Sequence, residues 1–213
     1  MMPDESSVAQ SAQRMSRDNS LAGWSFTLGG SLFAAGAFLA QTGAELLIVN
    51  VTYLVGGFFF SLGGWLSILA TSSGSRARSS ALVLFVGTLL FAVSLVAAFA
   101  EGFTPRQSNT WIWFPDMAGC VCFLLSGHLA MLDVGYGRIR IRPGDRDWWI
   151  AAVNQLGSYL FLLAGFAAFI RPATSEPVNV ALVNWGTFAG AVCFAVAGIV
   201  QVGVIHRGRW GTT

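Results

Sequence analysis

Six long apolar stretches, each free of charge, run through this chain and leave it little choice of fold. They lie between Asp18 and Glu45, Glu45 and Arg76, Arg78 and Glu101, Asp116 and Asp133, Asp147 and Arg171, and Glu176 and Arg207. A hydrocarbon layer about 30 Å thick is crossed by about 20 mostly apolar residues of helix. The pattern therefore predicts an all-α integral membrane protein with spans near 22–41, 46–70, 79–101, 114–134, 148–170 and 180–205. In the fourth, Pro115 and Asp116 suit the first turn of a helix, which makes Trp111-Ile112-Trp113-Phe114 an interfacial lead-in. Only 10% of the 213 residues are charged and 54% are hydrophobic, against roughly 25% charged in an average soluble domain. A soluble enzyme, a disordered chain and a disulfide-stapled secreted domain are excluded on this ground.

Domain boundaries follow. Residues 1–21 read as a flexible polar tail without the features of a signal peptide, 22–205 as the six-helix domain, and 206–213 as a short second tail. Every basic residue is arginine, and net charge is +2. Arg14, Arg17, Arg76, Arg78, Arg138, Arg140, Arg142, Arg146, Arg207 and Arg209 fall on one side of the alternating spans; Arg106 and Arg171 fall on the other. The positive-inside rule places both termini in the cytoplasm. Trp24, Trp148, Trp149 and Trp210 then belong to the inner interface, and Trp111, Trp113 and Trp185 to the outer one. The loop carrying Arg138, Arg140, Arg142 and Arg146 alternates arginine with isoleucine, which suits an extended segment on anionic lipid headgroups, with Asp147 capping the next helix. Lipid is the expected partner, and no feature fits nucleic acid.

The chain repeats at two-helix intervals, as hairpins 22–70, 79–134 and 148–205 of parallel orientation. Odd spans carry Gly-x-x-Leu-Phe followed by a small residue: Gly29, Phe33 and Gly36; Gly87, Phe91 and Ser94; Gly157, Phe161 and Ala164. Even spans carry Gly-x-x-x-Phe-x-x-small-Gly: Gly56, Phe60 and Gly64; Gly119, Phe123, Ser126 and Gly127; Gly190, Phe194 and Gly198. At 100° per residue the even motif is one narrow stripe of small residues with one ring. Helices in lipid associate by close backbone approach at such residues. The stripe is therefore a packing seam within the chain, against a second copy in a homo-oligomer, or against a partner in a membrane complex.

Leu28-Gly-Gly-Ser-Leu-Phe-Ala-Ala-Gly followed by Tyr53-Leu-Val-Gly-Gly-Phe-Phe-Phe-Ser-Leu-Gly-Gly resembles the YrhK-like domain of bacterial membrane proteins. Asn154-Gln-Leu-Gly-Ser-Tyr-Leu-Phe with Gly190-Ala-Val-Cys-Phe is similar, and the middle hairpin is a looser match. The resemblance implies a multi-pass protein of the bacterial cytoplasmic membrane. That family has no established activity, so no functional residue is carried over.

Polar groups within spans are the default candidates for function. Asp116, Tyr53 and Thr187 stand three residues before the repeat glycines; Asn50, Trp113 and Asn184 stand six before. Arranged about a pseudo-three-fold axis, Asn50, Tyr53, Asp116, Asn184 and Thr187 form a polar layer in the outer half. Such a layer holds a cation or a proton, or lines a vestibule; alternatively Asp116 caps its helix and the asparagines cross-link helices. Asn154 and Gln155 are expected to bond to a neighbouring helix. His128 and His206 are poorly placed for a bis-histidine haem, and no cofactor or metal ligand set is evident. Cys120, Cys122 and Cys193 read as small apolar residues. With no catalytic constellation, the expectation is a non-enzymatic structural or accessory membrane protein; the alternative is a small-solute or ion channel or transporter that uses the outer polar layer.

Overall fold

The computed structural model describes the backbone of residues 5–208 and the side chains of residues 6–203. The side chains of His206 and Arg207, and all of residues 1–4 and 209–213 with Arg209 and Trp210, lie outside the described residues; at 206–208 the backbone continues the last helix instead of beginning the expected tail. The chain is all-helical, and six helices are long and apolar enough to cross a membrane. These are α1 (Glu5–Gln41), α2 (Leu46–Leu69), α3 (Arg76–Ala97), a continuous segment made of α4 (Pro105–Ser108), a π-helical turn (Asn109–Trp113) and α5 (Phe114–Val134), then α6 (Arg146–Ala167) and α7 (Val180–Gly208). Between α6 and α7 a strap forms a two-residue antiparallel pair, β1 (Ile170–Arg171) with β2 (Glu176–Pro177).

Several boundaries differ from the sequence reading. Residues 5–21 continue α1 as helix instead of forming a loose tail; their Ala, Gln, Arg and Met content favours helix although it is too polar to score as a span. The third and fifth spans end at Ala97 and Ala167, a turn early. The fourth does not start at Pro115. Proline lacks an N–H and crowds the carbonyl four residues earlier, and the wider π turn directly before it absorbs that conflict without ending the helix. Finally, the side chain of Asp145, not Asp147, caps α6 by accepting from the Asp147 amide at 3.0 Å.

Consecutive helices run antiparallel and close into a ring, α1-α2-α3-α5-α6-α7, with α7 returning to α1. Large apolar side chains such as Leu46, Phe58, Val96, Phe114, Phe166 and Ile199 point outward, each more than half exposed. Small and aromatic residues fill the interior, an arrangement that suits a hydrocarbon surround. Within each of the three hairpins two glycines face each other. A methyl group added to Gly29 would lie 3.0 Å from the Gly56 carbonyl oxygen, one on Gly119 would lie 3.0 Å from that of Gly87, and one on Gly157 would lie 2.9 Å from that of Gly190. The α1–α7 contact is closer still. There a methyl on Gly30 would meet the Ala191 carbonyl oxygen at 2.6 Å, and one on Gly198 would meet that of Gly23 at 2.5 Å. The remaining named glycines also abut their own chain: Gly36 lies on the Tyr53 ring, Gly64 on the Phe85 backbone and Gly127 on the Gln155 side chain.

Polar side chains pin the same ring. Ser80 and Ser126 each donate to the other's carbonyl at 2.9 Å, joining α3 to α5. The Trp113 indole donates to the Gly165 carbonyl at 2.8 Å, joining the π turn to α6. Asn109 holds the strap by bonding both the amide and the carbonyl of Ile170, at 2.9 and 2.8 Å.

Candidate functional site

The phenylalanines of the six motifs meet at the centre of the ring. Phe33, Phe91 and Phe161, from the odd spans, form one triangle with ring centroids 6.1–6.4 Å apart. Phe60, Phe123 and Phe194, from the even spans, form a second, 5.5–6.2 Å apart. The triangles are joined within each hairpin by Phe33–Phe60, Phe91–Phe123 and Phe161–Phe194 contacts of 5.0–5.3 Å. All six are at least 93% buried, and the void between them is only about 10 Å³. Aromatic pairs at such spacings contribute roughly 0.5–1.5 kcal/mol each beyond their burial. The result is an apolar plug across the axis.

A cavity lies on either side of it. The one toward the arginine-poor end, where the α1–α2, α3–α4 and α6–α7 connections lie, has a volume of about 330 Å³. Phe33, Phe91 and Phe161 form its floor, and Asn50, Tyr53, Trp113, Asp116 and Thr187 line it. Four of the five residues of the expected polar layer thus meet in one cavity. Asn184 does not join them. The tight α1–α7 contact turns it toward α1, where its amide donates to the Gln41 side chain at 3.1 Å. Asn50 lines the cavity but spends its amide N–H on the Ala98 carbonyl at 2.9 Å. Both asparagines therefore cross-link helices.

Asp116 is not a helix cap. It sits beyond the π turn, inside a continuous helix, and faces the Gly165 region of α6 with its carboxylate. Among the described residues it has no ion-pair or hydrogen-bond partner. A lone carboxylate in a low-dielectric interior is costly unless a counter-charge or proton reaches it.

The second cavity, about 290 Å³, lies toward the arginine-rich end. Phe123 and Phe194 bound it, and its walls carry Ser80, Ser126, Asp133, Asp147, Asn154 and Gln201. Among the described residues no arginine or histidine lines either cavity. Asn154 therefore faces a cavity rather than a neighbouring helix; the Gln155 carbonyl oxygen is buried against α5 at Gly127 with no hydrogen-bond partner.

The basic loop is occupied differently from residue to residue. Arg142 is tied down by the Val134 carbonyl (2.8 Å), by Asp145 (3.0 Å) and by the Tyr136 ring (5.1 Å). Arg138, Arg140 and Arg146 are exposed, as are Ile139 and Ile141, in a loop without strand structure. His128 is exposed on the outside of the ring. Cys120 lines the cavity that holds Asp116, and all three cysteines are free thiols. Among the described residues no group of three or more metal-ligating side chains comes together.

The plug and the second cavity escaped the sequence reading. The signal was there in the phenylalanine that recurs at a fixed place in every span, but the helical wheel shows a face and not how near the axis a ring reaches. Comparison with protein-family models, curated proteins and solved structures finds no match for this chain.

Proposed function

We propose that this chain is a multi-pass membrane protein that passes a small cationic solute, without a chemical step, along the axis of its helix ring. The observation that carries the proposal is Asp116: an unpartnered carboxylate in a 330 Å³ cavity, across an aromatic plug from a second cavity that holds Asp133 and Asp147. Carboxylates in two cavities that no cationic side chain among the described residues lines favour cations over anions. The arginine distribution supports a cytoplasmic position for the second cavity and for both termini. The recurring glycine and phenylalanine contacts support triplication of one hairpin. The resemblance to the YrhK-like domain supports the bacterial cytoplasmic membrane, and the exposed Arg138, Arg140 and Arg146 are suited to anionic headgroups on that side.

A structural or accessory role is the competing reading. It is served by seams within the chain as well as by seams toward a partner, and Gly29, Gly36, Gly56, Gly64, Gly87, Gly119, Gly127, Gly157, Gly190 and Gly198 all meet groups of their own chain. Flux through proteoliposomes decides between the two. Wild-type protein should pass a small cation and exclude chloride. Asp116→Asn should lower cation flux about tenfold or more, the loss of one charge-assisted contact, while Asp116→Glu keeps part of it. Absence of cation flux in the wild type, or full flux in Asp116→Asn, returns the protein to the accessory reading.

A further inference from the structure

The walls around Asp116 narrow the class of cation, on the premise that this cavity is the solute site proposed above. Five aromatic rings line the space it faces: Phe33, Phe91 and Phe161 as a floor, with Tyr53 and Trp113 beside them. Their positions are fixed. Tyr53 packs edge-on to Phe33 at 5.2 Å and against Gly36, and Trp113 is held by its bond to the Gly165 carbonyl. A divalent metal ion is served poorly here, because the cavity sets one carboxylate against two charges and its other side-chain oxygens, on Asn50, Tyr53, Ser94, Ser108 and Thr187, are neutral. At about 330 Å³, the cavity is at the lower end of the usual range for small organic ligands, roughly 300–1,000 Å³, far more room than a bare alkali ion fills.

We infer that the site takes an organic ammonium ion bearing alkyl groups, its positive charge set against Asp116 and its methyl or methylene shell against the five rings. Aromatic faces attract such cations, each by about 0.5–2 kcal/mol, and the alkyl groups gain from leaving water. A quaternary centre has no N–H to satisfy, which suits a cavity whose polar groups are few and partly engaged.

Isothermal titration of the full-length protein in nanodiscs tests this with four probes: tetraethylammonium, choline, the uncharged choline analogue 3,3-dimethylbutanol, and potassium. Tetraethylammonium and choline should bind saturably. Affinity should fall about tenfold to a hundredfold in Asp116→Asn and be largely restored in Asp116→Glu. Phe91→Leu, which keeps an apolar floor, should weaken the organic cations about threefold to tenfold. Equal binding of 3,3-dimethylbutanol overturns the inference, since charge would then play no part. Binding of potassium that depends on Asp116, with none of the organic cations, overturns it while leaving the proposed function standing. No binding of any cation that responds to Asp116 ends both. Size-exclusion profiles of the variants separate a lost site from a lost fold.

Discussion

Truncating Phe91 and Phe123 together to alanine should turn a closed bundle into one that leaks cations continuously. These rings stack at 5.0 Å with only 8° between their planes; Phe91 belongs to the floor of one cavity and Phe123 to the boundary of the other. Removing both opens a column between cavities now separated by a void of about 10 Å³. An apolar constriction holds back ions by excluding water, so widening it admits water and then ions. The variant should pass cations in proteoliposomes without a gradient-dependent limit, whereas Phe91→Leu with Phe123→Leu, which keeps the space filled, should not. The cost to stability is on the order of 3–5 kcal/mol for each large-to-small change in a packed core, so the assay requires protein that still elutes as a folded species. A sealed double-alanine variant of intact fold would show that the rings are not the barrier.

The second large effect is on assembly of the ring. Gly30 and Gly198 stand where α1 and α7 touch most closely, and in both cases the nearest atom in the way is a backbone carbonyl oxygen, joined at Gly198 by the Thr27 hydroxyl. A backbone carbonyl 2.5–2.6 Å from the added methyl group cannot rotate aside as a side chain would. Gly30→Ala and Gly198→Ala should each lower stability by about 1–3 kcal/mol or more, and leucine at either position should prevent the ring from closing. Gly203, also in α7, has nothing within 4 Å of an added methyl group. Gly203→Ala should therefore be neutral or stabilising, by up to about 1 kcal/mol from helix propensity alone. Thermal unfolding in one detergent, followed by loss of the monodisperse peak, checks the contrast. Equal effects at positions 30 and 203 would show that α1 and α7 do not pack through these glycines.

Much of this arrangement could be read from the residues, and the failures have physical causes. Hydropathy located six helices because charge is so costly in hydrocarbon that its absence is a strong signal. The motif register also brought Tyr53, Asp116 and Thr187 to one level: each stands three residues before a glycine that fixes its helix against a neighbour. The same logic failed for Asn184, because the three inter-hairpin contacts are unequal. Gly23, Gly30 and Gly198 draw α1 and α7 together and rotate Asn184 out of the layer, whereas α2–α3 and α5–α6 touch more sparsely. A repeat seen in sequence carries its symmetry only as far as its neighbours are alike. The fourth span failed differently. Proline after an aromatic run marks a helix start equally well as a π turn, and only the 30 residues of continuous helix from Pro105 decide it. Asp145 and Asp147 are two acidic residues at the same helix entry, and which one caps depends on backbone angles that composition does not reveal.

Thiol access reports whether the two cavities, each lined by acidic and polar groups, face opposite sides of the membrane with the six phenylalanines between them. On a background with Cys120, Cys122 and Cys193 replaced by alanine, Thr187→Cys and Asn154→Cys place one thiol in each cavity. A membrane-impermeant thiosulfonate is then applied to sealed vesicles of one orientation, from one face at a time. Each thiol should react from one face only, and the two from opposite faces. Reaction of both from the same face, or of either from both faces in the wild-type plug, would contradict this arrangement.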